Sequence, residues 1–339
     1  GNGGYDSEGN YVGSSDTFSN AFEVLFDGTT TIAGNVTAPA FIGDGSQLTN
    51  MPLSFNATSG NGIQSPTTTA SGTYSTAMGY YTTANGPQSM AMGALTMASG
   101  PHSTAMGIGT IASGNLSTAM GNQTTASGET ATATGQFTTA SGKFSLSAGL
   151  YSNASGTTSV ALGNNTIADG YGTLATGYFN TPNSNPQADT FTPTNTAFVI
   201  GNGTFENRSN AFEVLFDGTT TIAGDLNINS DARLKANIIS LGATLSKLLQ
   251  IDGKTYTMKK DANHKKKIGL LAQDIEKVFP ELVTETNDIK SVNYQGLVPV
   301  LINAMKEQQD EIDSYKTELT NQRKEIDELK TMVEQLISK

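Results

Sequence analysis

The stretch STAMGNQTTASG, residues 117–128, contains the pattern that decides the fold of most of this chain. Glycine closes each half, at Gly121 and Gly128, and a glycine recurs at every seventh position from Gly72 to Gly177. Two forms of the seven-residue unit tend to alternate. One carries a larger residue before its glycine, and the other carries a small or polar one. The structural repeat is therefore predicted to be fourteen residues long.

Chemistry narrows what such a repeat can build. Glycine costs about 1 kcal/mol per helical position and Ser and Thr are weak helix formers, so a heptad coiled coil is excluded here. Collagen needs glycine at every third position and abundant proline. The remaining solution is a short strand, a tight turn at glycine and a second short strand. Stacked coils of this kind form a β-solenoid that rises about 4.8 Å per coil.

Within STAMG, the residues one and three positions before glycine share one strand face, and alanine takes the other face. Small alanine suits either a narrow interior or a close contact between chains, and the sequence leaves these alternatives open. The alternating phrases over residues 66–178 resemble the YadA-like head repeats of trimeric adhesins. The resemblance implies a left-handed parallel β-roll, with three chains side by side on a surface fibre. Because the repeat motif specifies the scaffold, no receptor-binding residue is carried over.

A second repeat flanks the head. The sixteen-residue phrase SNAFEVLFDGTTTIAG occurs identically at 19–34 and at 209–224. It is typical of a strand, a turn and a strand, and such a hairpin is marginal alone, so a small β-module shared among three chains is predicted. Residues 40–52 resemble connector segments of phage tail fibres. Residues 179–195 contain three prolines and are predicted to be a loop.

Charge divides the chain. Residues 1–229 hold two basic and thirteen acidic residues, whereas residues 230–339 hold seventeen of each sign. Nucleic-acid binding needs clustered Lys and Arg, so no nucleic-acid partner is expected. No apolar run approaches the roughly 20 residues of a membrane span.

The residue types that several other kinds of site require are rare or absent in this sequence. The chain has no cysteine and two histidines, which argues against thiolate chemistry, a histidine-rich metal site or a Ser-His-Asp triad, and no cofactor or metal is expected. Hydrolysis of a glycan needs paired carboxylates, but Glu129 and Asp169 stand alone within the head repeats.

From Val298 onward the apolar pattern changes to heptads. One set of core positions is Val298, Met305, Ile312, Leu319, Ile326 and Val333, and the other is Leu301, Gln308, Tyr315, Gln322, Leu329 and Leu336. A pattern sustained over about six heptads predicts a coiled coil. Three strands are preferred, mostly because the head resembles a trimeric fibre.

The change from the acidic N-terminal part to the evenly charged C-terminal part falls within NINSDARLKANI, residues 227–238. Ser230 is a good helix cap, and a capped helix start is the plain interpretation. The chemical interpretation pairs Ser230 with Lys235, because a serine nucleophile needs a base and no histidine is nearby. Five residues of helix turn through about 500°, so the pair cannot face each other on a regular helix. Ser230 must precede the helix, or the segment is not a single helix.

A lysine base must also lose its proton at neutral pH. Burial, or a neighbouring positive charge such as Arg233, would favour the neutral amine of Lys235.

Three blocks in order carry a second resemblance. They are SDARLKANI at 230–238; GLLAQ at 269–273 with VFPEL at 278–282; and VNY at 292–294 with AMKEQ at 304–308. They resemble the intramolecular chaperone auto-processing domain of endosialidases and other phage tail spikes and fibres. The resemblance implies that residues 230–339 drive three chains to fold together and then cut themselves off, with Ser230 and Lys235 as the reacting pair. Asn229, Asp231, Arg233 and Asn237 are then neighbours of the cut.

The bond is either Asn229–Ser230, by an N-to-O shift, or Ser230–Asp231, as in the endosialidases of this family. A neighbouring chain could complete the site, so that cutting waits for trimerisation.

These observations give one overall expectation: a mostly β trimeric fibre followed by an α+β chaperone domain and a trimeric coiled coil. The predicted divisions are 1–65, a β-module and connector; 66–178, the head; 179–229, a loop and second β-module; 230–297, the chaperone domain; and 298–339, the coil. The expected function is a fibre precursor that acts once as a serine peptidase on itself, without other substrates. The expected partners are two further copies of the chain and a cell-surface receptor, glycan or protein.

A virion tail fibre is the expected location, with a bacterial cell surface as the alternative. The competing function is a permanent stalk in which the C-terminal domain is a non-cleaving clamp.

Overall fold

The computed structural model describes most of the chain from the head onward. The described residues are 4–5, 7–8, 11–12, 22–24, 30–32, 54–56, 62–65, 67–259 and 264–338. They form two compact units, Gly1–Asn227 and Ile228–Lys339. The predicted connector at 40–52 lies outside the described residues.

The head is a β-solenoid with two strands per coil. Its eight described long strands are Thr76–Tyr80, Met90–Ala94, Thr104–Ile108, Thr118–Asn122, Thr132–Gln136, Leu146–Leu150, Val160–Asn164 and Leu174–Tyr178. Its eight described short strands are Thr69–Ala70, Thr83–Ala84, Met97–Ala98, Ile111–Ala112, Thr125–Ala126, Thr139–Ala140, Asn153–Ala154 and Ile167–Ala168. Long strands pair with long strands and short with short, so two parallel sheets run along the solenoid.

Strand register confirms the fourteen-residue repeat. Ala105 pairs with Ala119, and Gly107 pairs with Gly121, in the parallel ladder of the long strands. Each residue therefore stacks on its equivalent one coil later. The prediction of a β-solenoid is confirmed.

Alanine lies in the interior of the solenoid, beside buried serines and threonines such as Thr82 and Thr96, which resolves the alternative that the sequence left open. Ala77, Ala91, Ala105 and Ala119 are completely buried, and so are the alanines of the short strands. Residues on either side of each alanine in the long strands are half-exposed or exposed. A methyl group is the largest side chain that recurs in this column, so the space between the two sheets is narrow.

The corners of the solenoid use two kinds of left-handed backbone. Glycines that end the STAMG phrase have φ well above 100°, as at Gly107 and Gly121 with +121°. Two residues later the chain takes φ near +55°, and here the residues are ordinary ones such as Leu95, Gln123 and Phe137. The first conformation favours glycine alone, whereas the second is the αL region. This difference explains why only one of the two corner positions is always glycine.

Hairpins extend the long-strand sheet at both ends. Strands Ser54–Asn56 and Gly62–Gln64 precede the first long strand, and Thr196–Asn202, Asn210–Leu215 and Thr220–Ile222 follow the last one. The last two belong to the second copy of the repeated phrase, whose first copy forms strands Phe22–Val24 and Thr30–Ile32 in the same register. The predicted loop at 179–195 contains no strand or helix.

The second unit is α+β. Its helices are α1 Leu245–Leu248, α2 Ala272–Val278 and α3 Leu297–Ile337, with 3₁₀ turns at Ala232–Leu234, Pro280–Leu282 and Tyr294–Gly296. Strands Lys254–Tyr256 and Lys267–Gly269 form one hairpin, and Val283–Thr286 and Ile289–Val292 form another. Ile275, Phe279 and Val300 form the core, on which Leu248, Ile251 and other partly buried residues pack.

Helix α3 has 41 residues and begins at Leu297, one residue before the predicted start of the coil. Its predicted seam is exposed in this chain, as at Leu301 and Met305. Among the described helices, none is both long and apolar enough to span a membrane.

Candidate active site

The candidate site is one tight turn at the start of the second unit. Residues Ala232–Leu234 form a 3₁₀ turn, and the side chain of Asp231 caps it by accepting from the backbone N–H of Arg233 at 2.9 Å. The backbone N–H of Lys235 donates to the carbonyl of Ala232 and ends the turn. The plain interpretation of Ser230 as the helix cap is wrong, because Asp231 takes that position.

This turn brings the two predicted reacting groups together. Lys235 Nζ lies 2.7 Å from Ser230 Oγ, in hydrogen-bond contact. Ser230 precedes the turn and Lys235 follows it, so the five-residue spacing does not have to fit a regular helix. At this distance a proton can pass directly between the hydroxyl and the amine.

Arg233 binds Asp231. Its Nε and Nη2 donate to the carboxylate at 3.0, 3.1 and 2.6 Å. The guanidinium hydrogen bonds, and secondly the backbone N–H, hold the pKa of Asp231 below its usual value, and the same bonds raise the pKa of Arg233. Arg233, the neighbour whose charge was expected to act on Lys235, is therefore paired with Asp231 in this chain.

The site is exposed within a single chain. Every residue from 217 to 243 is exposed, including Ser230 and Lys235. This chain alone therefore does not shield the Lys235 side chain from solvent. Apolar side chains in the same segment are exposed as well, among them Leu234 at 72% and Ile239 at 87%.

The remaining predicted neighbours flank the turn. Asn229 is exposed just before Ser230. Asn237 has φ +54°, an αL conformation that asparagine tolerates better than most residues, and it redirects the chain after Lys235.

Two functional candidates were missed by the sequence reasoning. Thr244 is the first buried residue after the turn, and the carboxylate of Glu307 on α3 binds it. Glu307 lies inside the third resemblance block, which was a signal for it. Thr244 has no such signal in the sequence, because it is singled out by its hydrogen bond to Glu307, which lies 63 residues further along the chain.

Elsewhere in the described part of the chain, acidic groups do not gather into a site. Glu129 pairs with Lys143 at 2.8 Å, and burial raises the pKa of Asp169. The described residues contain no cluster of three or more acidic, histidine or cysteine side chains able to hold a metal ion.

Two protein families match separate segments of the chain. The YadA head domain repeat matches residues 70–96, 98–124, 112–138, 126–152 and 154–180. The family described as chaperone of endosialidase matches residues 230–284, which contain the Ser230–Lys235 turn. The chain thus combines a YadA-like head with a segment of the endosialidase chaperone type.

Several similar proteins are tail fibre proteins of phages. The chain is similar to the long tail fiber protein Gp37 of Enterobacteria phage M1, with 33% identity over 122 residues, and to that of Salmonella phage S16, with 32% over 119 residues. Each match covers 32% of this chain, and the chain spans 49% and 15% of these relatives' lengths. Together with the two families, they support a phage tail fibre with a chaperone domain and a YadA-like head.

Proposed function

We propose that this chain is a trimeric tail-fibre precursor whose C-terminal domain brings three chains together and then cuts itself off beside Ser230. The observation that carries the proposal is the 2.7 Å contact between Lys235 Nζ and Ser230 Oγ, within the segment that matches the chaperone of endosialidase family. The similarity to long tail fibre proteins of phages supports a virion tail-fibre location.

The reaction balances as an acyl transfer. If the Asn229–Ser230 bond is cut, Ser230 Oγ attacks the carbonyl carbon of Asn229 while its proton passes to Lys235 Nζ. The C–N bond then breaks, the Ser230 nitrogen takes a proton, and an ester joins the two residues. Water hydrolyses the ester to an Asn229 carboxylate and a free Ser230 hydroxyl. Cutting at Ser230–Asp231 is the alternative.

Trimerisation is supported by apolar surface that one chain leaves uncovered. The seam of α3 exposes Met305 at 69%, and a stacked column of half-exposed methionines, which includes Met106 and Met120, lies outside the alanine interior. Burial of apolar area contributes about 25 cal/mol per Å², so further copies of the chain would gain much by covering both surfaces.

Assembly also offers a way to start the chemistry. Within one chain, Lys235 is exposed and Arg233 is paired with Asp231. A neighbouring chain that covers the turn would desolvate the ammonium and favour the neutral amine. Cutting would then follow correct trimer formation. Once the fragment leaves, the fibre would bind its receptor without it.

Intact-mass measurement of the purified full chain tests the proposal. Wild type should yield a fragment of residues 230–339 or 231–339, and these two masses differ by one serine residue. Ser230→Ala and Lys235→Ala should remain full-length trimers, whereas the control Ser240→Ala, an exposed serine in the same segment, should be cut normally. A wild-type trimer that stays whole would favour the alternative function, a permanent clamp.

A further inference from the structure

The cutting chemistry proposed above uses no residue of the third resemblance block, whose second part, residues 304–308, lies in helix α3. One residue of that block, Glu307, reaches back to the segment that follows the reactive turn. We propose that Glu307 is a positioning residue for self-cleavage: it anchors the segment that carries Ser230 and Lys235 to helix α3. This inference rests on the proposed function and adds to it a link between the coil and the cut.

The anchor consists of three hydrogen bonds to one carboxylate. The backbone N–H of Thr244 donates to Glu307 Oε1 at 2.5 Å, and the backbone N–H of Leu245 donates to Oε2 at 3.0 Å. The hydroxyl of Thr244 contacts Oε1 at 3.2 Å and lies 3.1 Å from the carbonyl of Val300, to which it also donates. The side chain of Thr244 does not cap α1, so Glu307 supplies from another helix the acceptors that the first N–H groups need.

Thr244 is where the reactive segment first becomes attached to its domain. All residues from 217 to 243 are exposed, whereas Thr244 is only 2% exposed. Beyond it, Leu248 and Ile251 pack on the core around Phe279 and Val300. The eight residues between Lys235 and Thr244 therefore form a tether whose fixed end is the Glu307 anchor.

On helix α3, Glu307 lies on a different face from the predicted coiled-coil seam. Leu297, Val300 and Ala304 are buried against the helix's own domain, and Glu307 continues that line at helical spacing. The seam residues Leu301 and Met305 point elsewhere and are exposed. Because about 200° of helix separates Met305 from Glu307, the seam can meet partner chains while Glu307 keeps its own tether. The position of each helix in the coil would thus determine where each reactive turn is held.

The test follows cutting over time in the full-length chain after dilution from denaturant, with trimer content measured by light scattering. Glu307→Ala should slow cutting at least about tenfold per trimer, and Glu307→Gln, which keeps one acceptor oxygen, should lie between it and wild type. Glu311→Gln changes an exposed carboxylate one turn further along α3 and should cut like wild type. Val300→Ala weakens the core without removing the anchor, and it should slow cutting much less than Glu307→Ala.

Hydrogen exchange gives a readout that does not depend on cutting. In a Ser230→Ala background, Glu307→Ala should speed exchange at the amides of Thr244 and Leu245 at least about tenfold, while Glu311→Gln should leave it unchanged. Wild-type cutting rates in trimeric Glu307→Ala, or equal slowing by Val300→Ala, would overturn the inference and leave the proposed function intact. A wild-type chain that never cuts would instead overturn the proposed function, and the positioning role with it.

Discussion

Replacing Gly121 by alanine should destabilise the head by several kcal/mol per chain, although the change adds one methyl group. The backbone at Gly121 has φ +121°, and a Cβ there would lie 2.0 Å from the carbonyl oxygen of Gly135, one coil further on. That oxygen belongs to the backbone and cannot rotate away. Ordinary contact begins near 3.4 Å, so the two coils would have to move apart by more than an ångström.

The magnitude follows from two costs. Holding a non-glycine residue in such a sparsely populated conformation costs about 1–3 kcal/mol. Separating the coils weakens ladder hydrogen bonds on both sides of the position, each with a net value of about 1 kcal/mol. The sum is roughly 3–5 kcal/mol, which for a domain of about 110 residues corresponds to a fall in Tm of about 10 °C or more.

Gly109→Asn is the matched control, because this glycine also has a positive φ, +62°. The nearest atom to its added Cβ is Cγ of the flexible Gln123 side chain at 3.3 Å, and Leu95 and Gln123 already take this conformation at equivalent corners. Calorimetry of the full-length Ser230→Ala chain should show a Tm for the head transition within about 3 °C of the parent, for a cost below about 1 kcal/mol. Equal Tm values for the two variants would refute the distinction between the two corner positions.

Two further predictions concern the second unit, both in the Ser230→Ala chain. Met305→Glu should abolish the trimer in light scattering, because three carboxylates would meet in the seam. The control Lys306→Gln, at the next position, should leave the trimer intact. A trimeric Met305→Glu chain would contradict the predicted seam. Acid should release the Glu307 anchor. The hydrogen bond from the backbone N–H of Thr244 is the largest cause that lowers the pKa of Glu307 below its ordinary value of 4.5. The anchor's contribution to stability is therefore present above pH 4.5 and is lost as pH falls through the lowered pKa. Calorimetry below about pH 5 should therefore show a steeper fall in the Tm of this unit for the parent than for Glu307→Gln, and parallel curves would count against the anchor.

The head could be predicted from sequence because its contacts repeat. Glycine at every seventh position fixes the turns, and the alanine two positions before it lies on the same strand face in each coil, so one coil determines all the others. The face that alanine occupies was the remaining question, and it depended on the distance between the two sheets. That distance follows from packing of both strands of a coil at once, which a single strand pattern does not contain.

The site was less predictable because it depends on side chains that compete for partners. Ser230 and Asp231 are both residues that cap helix starts well, and residue preferences do not decide which of them caps the turn. The structure gives the cap to Asp231, which leaves Ser230 Oγ available to Lys235. The pairing of Arg233 with Asp231 likewise depends on a turn geometry that the spacing alone does not specify.

Exposure of the reacting pair is itself informative about when the chemistry can occur. Ser230 and Lys235 lie in hydrogen-bond contact within an exposed turn, so they have the geometry for proton transfer, but this chain alone does not desolvate them. If the chain supplied that desolvation itself, cutting would release the chaperone domain before three chains had met. In the proposed trimer, the turn lies on a tether anchored to α3, and the surfaces of the partner chains would supply the desolvation. The low burial of residues 217–243 in one chain is therefore what a site that waits for assembly requires.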